Sequence, residues 1–509
     1  MLLAAIAAAP AAAAIDDPPG GLIPTSSTLA VVRSLYARAH EKERTRAATV
    51  IEDWRLSQDR MTGSYRVWRL GKDERNITSL GPMLYATGVH AGTHWQQTRN
   101  GFTYTFPGVH EQRDALSDRA FLGDVDEHDV RLIGESLALN AYVVEVDPPG
   151  GRHEWLFIDK NSGLISRREF VQKERRFATT YDDYRTFDGI PEPSRVKTID
   201  SYGNEREQVL LSRTLDLTPD PHDVDIPPSR RQLVEFPAAT NLVRLPIRLI
   251  NGLIVTRVHI GSRGYDFLLD SGAAGIVVDP SVVDDQRLET YGAHVGATIG
   301  TFSESSCIVP AMQIGLLHMQ HVVARVVTVP FHLENGLRIT GLIGFDLFAD
   351  TTVHVDLEHG IVEAIVPSAF RAPADAVALP LALDDRTPAV RAKLGSTSGR
   401  VVLDTGANRS VFTTEFATRA DVALDPAAAV AHFRGMGGVG LAESVHARDF
   451  DLAGITLADP VIDVSDADLG AEDIDGTAGT DLLRAYDLFF DYHSQTVFMR
   501  RAGRAASGS

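Results

Sequence analysis

The spacing of apolar and polar positions changes along the chain and predicts different elements in different stretches. "VVRSLYARAHEKERTRAATVIEDW", Val31 to Trp54, sets its apolar residues among Ala, Arg and Glu in a helical rhythm. The segments "GSYRVWRL" (63–70), "GFTYTF" (101–106), "NAYVVEV" (140–146) and "HEWLFI" (153–158) tend to alternate and read as strands. "DPPGG" (147–151) and "DKNSG" (159–163) supply turn residues between strands. The order predicts one or two helices against a curved antiparallel sheet, an N-terminal α+β domain over residues 28–217. Four prolines in "TPDPHDVDIPPSRR", Thr218 to Arg231, break any regular pattern and place a linker at 218–238. From Leu242 onward, short Val/Ile/Leu strands and Gly turns predict a mostly-β region.

Within that region "YDFLLDSGAAGIVV", Tyr265 to Val278, puts a carboxylate, Asp270, at the end of an apolar strand. A carboxylate there loses hydration and needs strong hydrogen bonds or a task. "LDTGANRSVF", Leu403 to Phe412, repeats the pattern, with Asp404 standing 134 positions after Asp270. The same offset relates Leu245-Pro246 to Leu379-Pro380 and Gly261-Ser262 to Gly395-Ser396. Downstream the offset becomes 135: Gly344, Asp346, Leu347 and Asp356 are answered by Gly479, Asp481, Leu482 and Asp491. A slip of one residue over so long a span describes two homologous lobes, 239–368 and 369–503. One Asp-Ser/Thr-Gly triplet is expected by chance about 0.3 times in a chain this long. Two copies in matching strand contexts are specific, because turns alone need not repeat with their strands.

"LLDSGA", "VLDTGA", the later "LIGFDLF" and "AGTDLL", and the Gly-rich hairpin "RGMGGVGLAES" together resemble the pepsin and retropepsin superfamily of aspartic proteases, as two retropepsin-like lobes in one chain over about Leu242 to Met499. The resemblance implies a bilobal acid-protease fold and an aspartic endopeptidase acting on a peptide or protein, with no cofactor and no metal. It implies that Asp270 and Asp404 form the catalytic dyad. Two carboxylates sharing one proton can activate water, since like charges so close cannot both ionise. By the same resemblance Ser271 and Thr405 hydrogen-bond across the lobes, and Gly272 and Gly406 let backbone N–H groups face the carboxylates. Gly300, Thr301, Gly437 and Gly438 are the implied flap residues, although "GATIGTFSESS" in lobe one is poorer in glycine and no flap tyrosine aligns. Ala273 and Ala407 follow each triplet, as in retroviral enzymes, where pepsin-like enzymes usually carry Ser or Thr. Without that hydroxyl donor, the dyad's lower apparent pKa is expected to rise and the pH optimum to be less acidic than pepsin's.

Other features change the picture less. "GMGGVG", Gly435 to Gly440, satisfies a dinucleotide-binding pattern, but strand and turn, rather than a helix, are expected after it. His90 and His94 fall on one face if their segment is a single strand, and are expected to be surface or packing residues rather than zinc ligands. "GSTSG", Gly395 to Gly399, has Thr where a serine hydrolase needs its nucleophile. Cys307 is the only cysteine, so no intramolecular disulfide can form, and it reads as a small buried hydrophobe. A net charge of −19 opposes binding to nucleic acid or an anionic membrane. The Ala-rich opening residues 1–20 resemble a signal peptide or leader, which implies an exported, periplasmic or secreted bacterial protein without stable membrane insertion. Trp155 to Ile199 is similar in rhythm to outer-membrane lipoprotein carrier-like domains, which implies a lipid or peptide ligand for this region, or a positioning role. The alternative reading of the whole chain is a non-catalytic periplasmic carrier or peptide/lipid-binding protein with a degenerate cleft.

Overall fold

The computed structural model describes residues 16–41, 49–123, 129–172, 175–187, 189–215, 218, 220–333, 336–424, 430–467, 469 and 473–503. Residues 1–15 of the expected leader lie outside these. Contacts divide the chain into two compact units, 1–47 with 109–210 and 48–108 with 211–509. The division runs through the segment 28–217 rather than at its end.

In the first unit Thr28 caps the helix Leu29–Ala39: its backbone is extended, and its side chain accepts a hydrogen bond from the Val31 N–H. The sequence continues a helical rhythm toward Trp54, but this helix ends at Ala39, and residues 42–48 lie outside the described residues. Instead Thr49-Val50-Ile51 opens the strand Thr49–Gln58 of the second unit, because β-branched side chains crowd a helical turn but pack well on a pleated surface. The first unit's strands are antiparallel and ordered Leu22–Ile23, Val130–Ser136, Ala141–Val146, Glu154–Asp159, Ile165–Gln172, Arg175–Phe187, Ile190–Asp200 and the part of Glu205–Leu215 up to Leu210. Alternation sorts their side chains. Val144, Val146, Leu156 and Ile158 pack with Val32 of the first helix and Ala120 and Phe121 of a second, Val109–Leu122. Ala141, Val143, Trp155 and Phe157 form a separate cluster from the opposite side chains.

The second unit begins with an antiparallel meander of Thr49–Gln58, Met61–Leu70, Asp73–Leu80, Met83–His90, Thr93–Gln97 and Thr103–Phe106. Phe102 and Tyr104, at its end, enter the main apolar core of the lobes, with ring centroids 6.0 and 5.3 Å from Phe345. The two lobes share one local topology. In lobe one, Arg263–Leu269 pairs in parallel with Gly341–Ile343, which pairs antiparallel with Val277–Val278. In lobe two, Thr397–Leu403, Gly476–Ala478 and Val411–Thr413 repeat that arrangement. Among the described residues no helix is long and apolar enough to cross a membrane.

A six-stranded sheet joins the lobes, in the order Leu242–Arg244, Ile361–Ile365, Thr352–Asp356, Tyr486–Asp491, Thr496–Arg501, Val377–Pro380. Its seam is the antiparallel pairing of Val353 with Phe490 and Val355 with Leu488. His354 bridges that seam, with Nε2 2.5 Å from Asp487 Oδ1 and Nδ1 2.9 Å from Glu363 Oε2. Burial disfavours charge on His354, but the bonds to Asp487 and Glu363 outweigh it and raise its pKa. Burial likewise raises Asp487, but His354 and Arg500 pull it below its ordinary value. A raised histidine stabilises the fold fully below its unfolded pKa, about 6.5, and loses that contribution as pH rises through the folded value. The lowered Asp487 stabilises above its unfolded pKa, about 3.9, and loses its contribution as pH falls through its folded value. Urea denaturation is therefore expected to show stability declining from about pH 6.5 upward, and His354→Phe, which keeps a ring against Phe489, to flatten that decline.

Candidate active site

Each repeated Asp sits where its strand ends, tied to the neighbouring parallel strand. The Asp270 N–H donates to the Ile343 carbonyl and the Asp404 N–H to that of Ala478, both at 2.9 Å. The next turn points N–H groups back at each carboxylate: Ala273 donates to Asp270 Oδ1 at 2.9 Å and Gly406 to Asp404 Oδ1 at 2.8 Å. A Cβ on Gly272 would lie 2.6 Å from Asp404 Cγ, and one on Gly406 2.2 Å from Asp270 Cγ. Only glycine lets each lobe's backbone come this close to the other's carboxyl.

The hydroxyls beside the carboxylates interlock across the lobes. Ser271 Oγ donates to the Leu403 carbonyl (2.6 Å) and accepts from the Thr405 N–H (3.0 Å). Thr405 Oγ1 donates to the Leu269 carbonyl (2.9 Å) and accepts from the Ser271 N–H (3.0 Å). Ser271 and Thr405 are fully buried, so these groups have no water to replace a lost partner.

This clamp brings Asp270 and Asp404, 134 positions apart, into hydrogen-bonding contact. Burial, followed by the neighbouring Asp404 carboxylate, raises Asp270 well above the usual carboxylate range. Burial also raises Asp404, against the opposing bonds from Gly406 and Asp270. The pair therefore keeps one proton at a pH where isolated carboxyls have lost theirs, and that proton belongs to the pair. Tyr492, which sequence reasoning missed, lies in the same field: burial and the charges of Asp270 and Asp404 push its phenol well above its ordinary pKa. The downstream offset aligns Tyr492 with Leu357, and that break in the repeat was the available signal.

The four flap positions lie on two hairpins whose tips meet. Lobe one contributes Thr290–Ala297 and Thr301–Ile314, with Gly300 in the turn and Thr301 paired to Ala297. Lobe two contributes Val430–Arg434 and Val439–His446, closed by a bond from the Gly435 N–H to the Gly438 carbonyl at 3.0 Å. The Gly437 N–H donates to the Thr298 carbonyl at 3.3 Å. A Cβ on Gly300 would come within 2.5 Å of the Gly437 carbonyl oxygen, so the tips touch through bare backbone. Met436 and Phe302 share an apolar cluster with Ala273, which links the hairpins to the Asp270 loop.

"GMGGVG" forms this hairpin turn and the start of a strand, and opens no helix. His90 and His94 fall on two strands of a hairpin, Val89 facing His94, rather than on one face of a single strand, because Ala91 and Gly92 take positive φ and turn the chain. Among the described residues, no group of three His, Cys, Asp or Glu is arranged to hold a metal ion. Burial pushes the Cys307 thiol up to about 12, so it stays protonated and is no nucleophile.

Comparison with known proteins agrees with the repeat. Residues 256–347 and 390–482 each match the family model described as aspartyl protease. No curated protein matches the chain. Among solved structures it is similar to an aspartic proteinase from Irpex lacteus, with 13% identity, a TM-score of 0.34, and 52% of this chain and 99% of that one covered. It is also similar to a DUF1329 family protein from Desulfovibrio piger ATCC 29098, with 13% identity, a TM-score of 0.29, and 39% of this chain and 98% of that one covered.

The clamp can be tested without reference to activity. Ser271→Ala strands the Thr405 N–H and the Leu403 carbonyl in a dry site, and is expected to cost about 2–4 kcal/mol in chemical denaturation. A loss below about 0.5 kcal/mol would mean that water replaces the hydroxyl.

Proposed function

We propose that the protein is an aspartic endopeptidase that hydrolyses peptide bonds through Asp270 and Asp404, in a bilobal acid-protease fold. The observation that carries this reading is the pair of buried carboxyls, one from each repeat, set side by side by the Ser271–Thr405 clamp and each facing the glycine of the other lobe's Asp loop. The two segments matching the aspartyl protease family support it. Binding alone would not require two carboxylates that destabilise each other when buried together.

In this reading the ionised member takes a proton from an attacking water while the protonated member donates to the scissile carbonyl oxygen. The resulting diol collapses as a proton passes to the leaving amine. Atoms balance without a covalent enzyme intermediate. The Ser271–Thr405 clamp holds the two carboxyls at fixed separation through these transfers, so little reorganisation accompanies them. The hairpin tips, joined by a backbone bond from Gly437 to Thr298, part to admit an extended peptide. Backbone groups near Gly300 and Gly437 then serve a peptide main chain as they serve each other.

A mixed peptide library incubated with the protein across pH is expected to be cleaved and the cleavage to be blocked by a statine-type transition-state mimic. Asp270→Asn and Asp404→Asn are each expected to lower kcat by at least about 10²–10⁴-fold. Folded wild-type protein that cleaves nothing at any pH would overturn the reading.

The pH profile follows from the raised dyad. Activity requires one proton on the pair, so it falls on the alkaline side as that proton leaves, and this limb lies above the usual carboxylate pKa. On the acid side, protonation of both members removes the base. With Ala273 and Ala407 giving no extra hydroxyl, the optimum is expected to be less acidic than pepsin's, and a maximum at about pH 2 would contradict this.

A further inference from the structure

The two lobes anchor their Asp loops differently. In lobe two the chain supplies both contacts itself: the Ser410 N–H donates to Asp481 Oδ2 at 3.0 Å and the Ser410 hydroxyl donates to Asp481 Oδ1. The same hydroxyl accepts from the Gly479 N–H at 2.9 Å. In lobe one the position 134 residues earlier is Ile276. Its N–H donates to Asp346 Oδ2 at 2.9 Å, but it has no hydroxyl for the other oxygen.

Asp346 Oδ1 instead accepts from Asn100 Nδ2 at 2.9 Å, across 246 positions of sequence. Asn100 is buried in the turn between Thr93–Gln97 and Thr103–Phe106. Its amide is fully used: Nδ2 also donates to the Val323 carbonyl (3.0 Å), and Oδ1 accepts from the Val323 N–H (2.9 Å) and Arg231 Nη2 (3.1 Å). Val323 lies in the strand Leu317–Val327, whose Arg325 N–H donates to the Ile276 carbonyl at 2.9 Å. Asn100 thus reaches Ile276, six residues after Asp270, by two routes.

We propose that Asn100 is a positioning residue for Asp270: from the N-terminal meander it supplies lobe one with the hydrogen bond that Ser410 supplies inside lobe two. The inference rests on the protease reading for its kinetic consequence, but not for its structural one. Asp346 is buried, and an oxygen without a donor there would be drawn to protonate or turn away, releasing the Ile276 N–H and slackening residues 270–276. Phe102 and Tyr104 packed on Phe345 hold the turn in place. The meander is on this argument a working part of the catalytic unit.

The test uses the full chain with Asn100→Ala, Asn100→Asp and, as the lobe-two counterpart, Ser410→Ala. N100A is expected to lower kcat by about 10–100-fold while KM stays within about twofold, since the loop rather than the peptide site is displaced. Amide exchange of the peptide containing Ile276 is expected to accelerate in N100A, and S410A to do the same for its own loop. In N100D the introduced carboxyl can donate to Asp346 only when protonated, so activity is expected to approach wild type at acid pH and the alkaline limb to move to lower pH. Asp346 and Asp350 favour that proton, whereas Arg231 and Arg386 oppose it. Wild-type kcat and exchange in N100A, or an unmoved alkaline limb in folded N100D, would overturn the proposal. If N100A does not fold, N100D carries the test. If the wild type cleaves nothing, the protease reading fails, and exchange at Ile276 still decides the role of Asn100.

Discussion

The structure turns on four hydrogen bonds made by two hydroxyls. Ser271 and Thr405 each donate to a carbonyl and accept from an N–H of the opposite lobe, in a place water does not reach. Unmaking one bond strands two buried polar groups, so the arrangement is held by the penalty of the alternatives more than by the strength of each bond. Two carboxyls that would otherwise repel are thereby kept adjacent, and glycines at 272 and 406 spare each a Cβ that would press on the opposite carboxyl. The raised affinity of the pair for one proton follows from that enforced closeness and from burial.

The rest of the second unit serves this seam. The interlobe sheet takes three strands from each lobe, with equivalent strands in mirrored order on the two sides of the seam. Some of the differences between the lobes fall close to the dyad and its hairpins: Tyr492 stands against Leu357, Ser410 against Ile276, and a Gly-rich hairpin tip against one with a single glycine. A homodimer could not carry such differences, because one residue would have to serve both sides. In a single chain, each lobe can vary alone, and the proton shared by Asp270 and Asp404 sits in an environment that is not symmetric.

Legibility followed the range of the interaction concerned. The Asp-Ser/Thr-Gly repeat, its strand contexts and the later Gly and Asp positions could be read because each repeats at nearly constant spacing. Alternation in "NAYVVEV" and "HEWLFI" marked real strands, and its two faces became two clusters. The helical expectation failed over Thr49–Trp54 because charge and alanine content outweighed the β-branched Thr49-Val50-Ile51 in the sequence pattern, whereas sheet pairing rewards those residues. Asn100 carried no signal, since an Asn beside a Gly reads as a turn wherever it occurs.

From its own letters, the chain specifies which residues are apolar at strand period, where glycine must stand, and that two equivalent carboxylates end two equivalent strands. These are local properties, set by side-chain volume, backbone freedom and the alternation of a pleated strand. Folding alone decided how tightly Asp270 and Asp404 are enclosed, that Tyr492 lies in their field, and that the bond lacking at Ile276 comes from Asn100. A buried polar group takes whichever partner the approach of distant segments brings within reach, and that choice is made only when the lobes close.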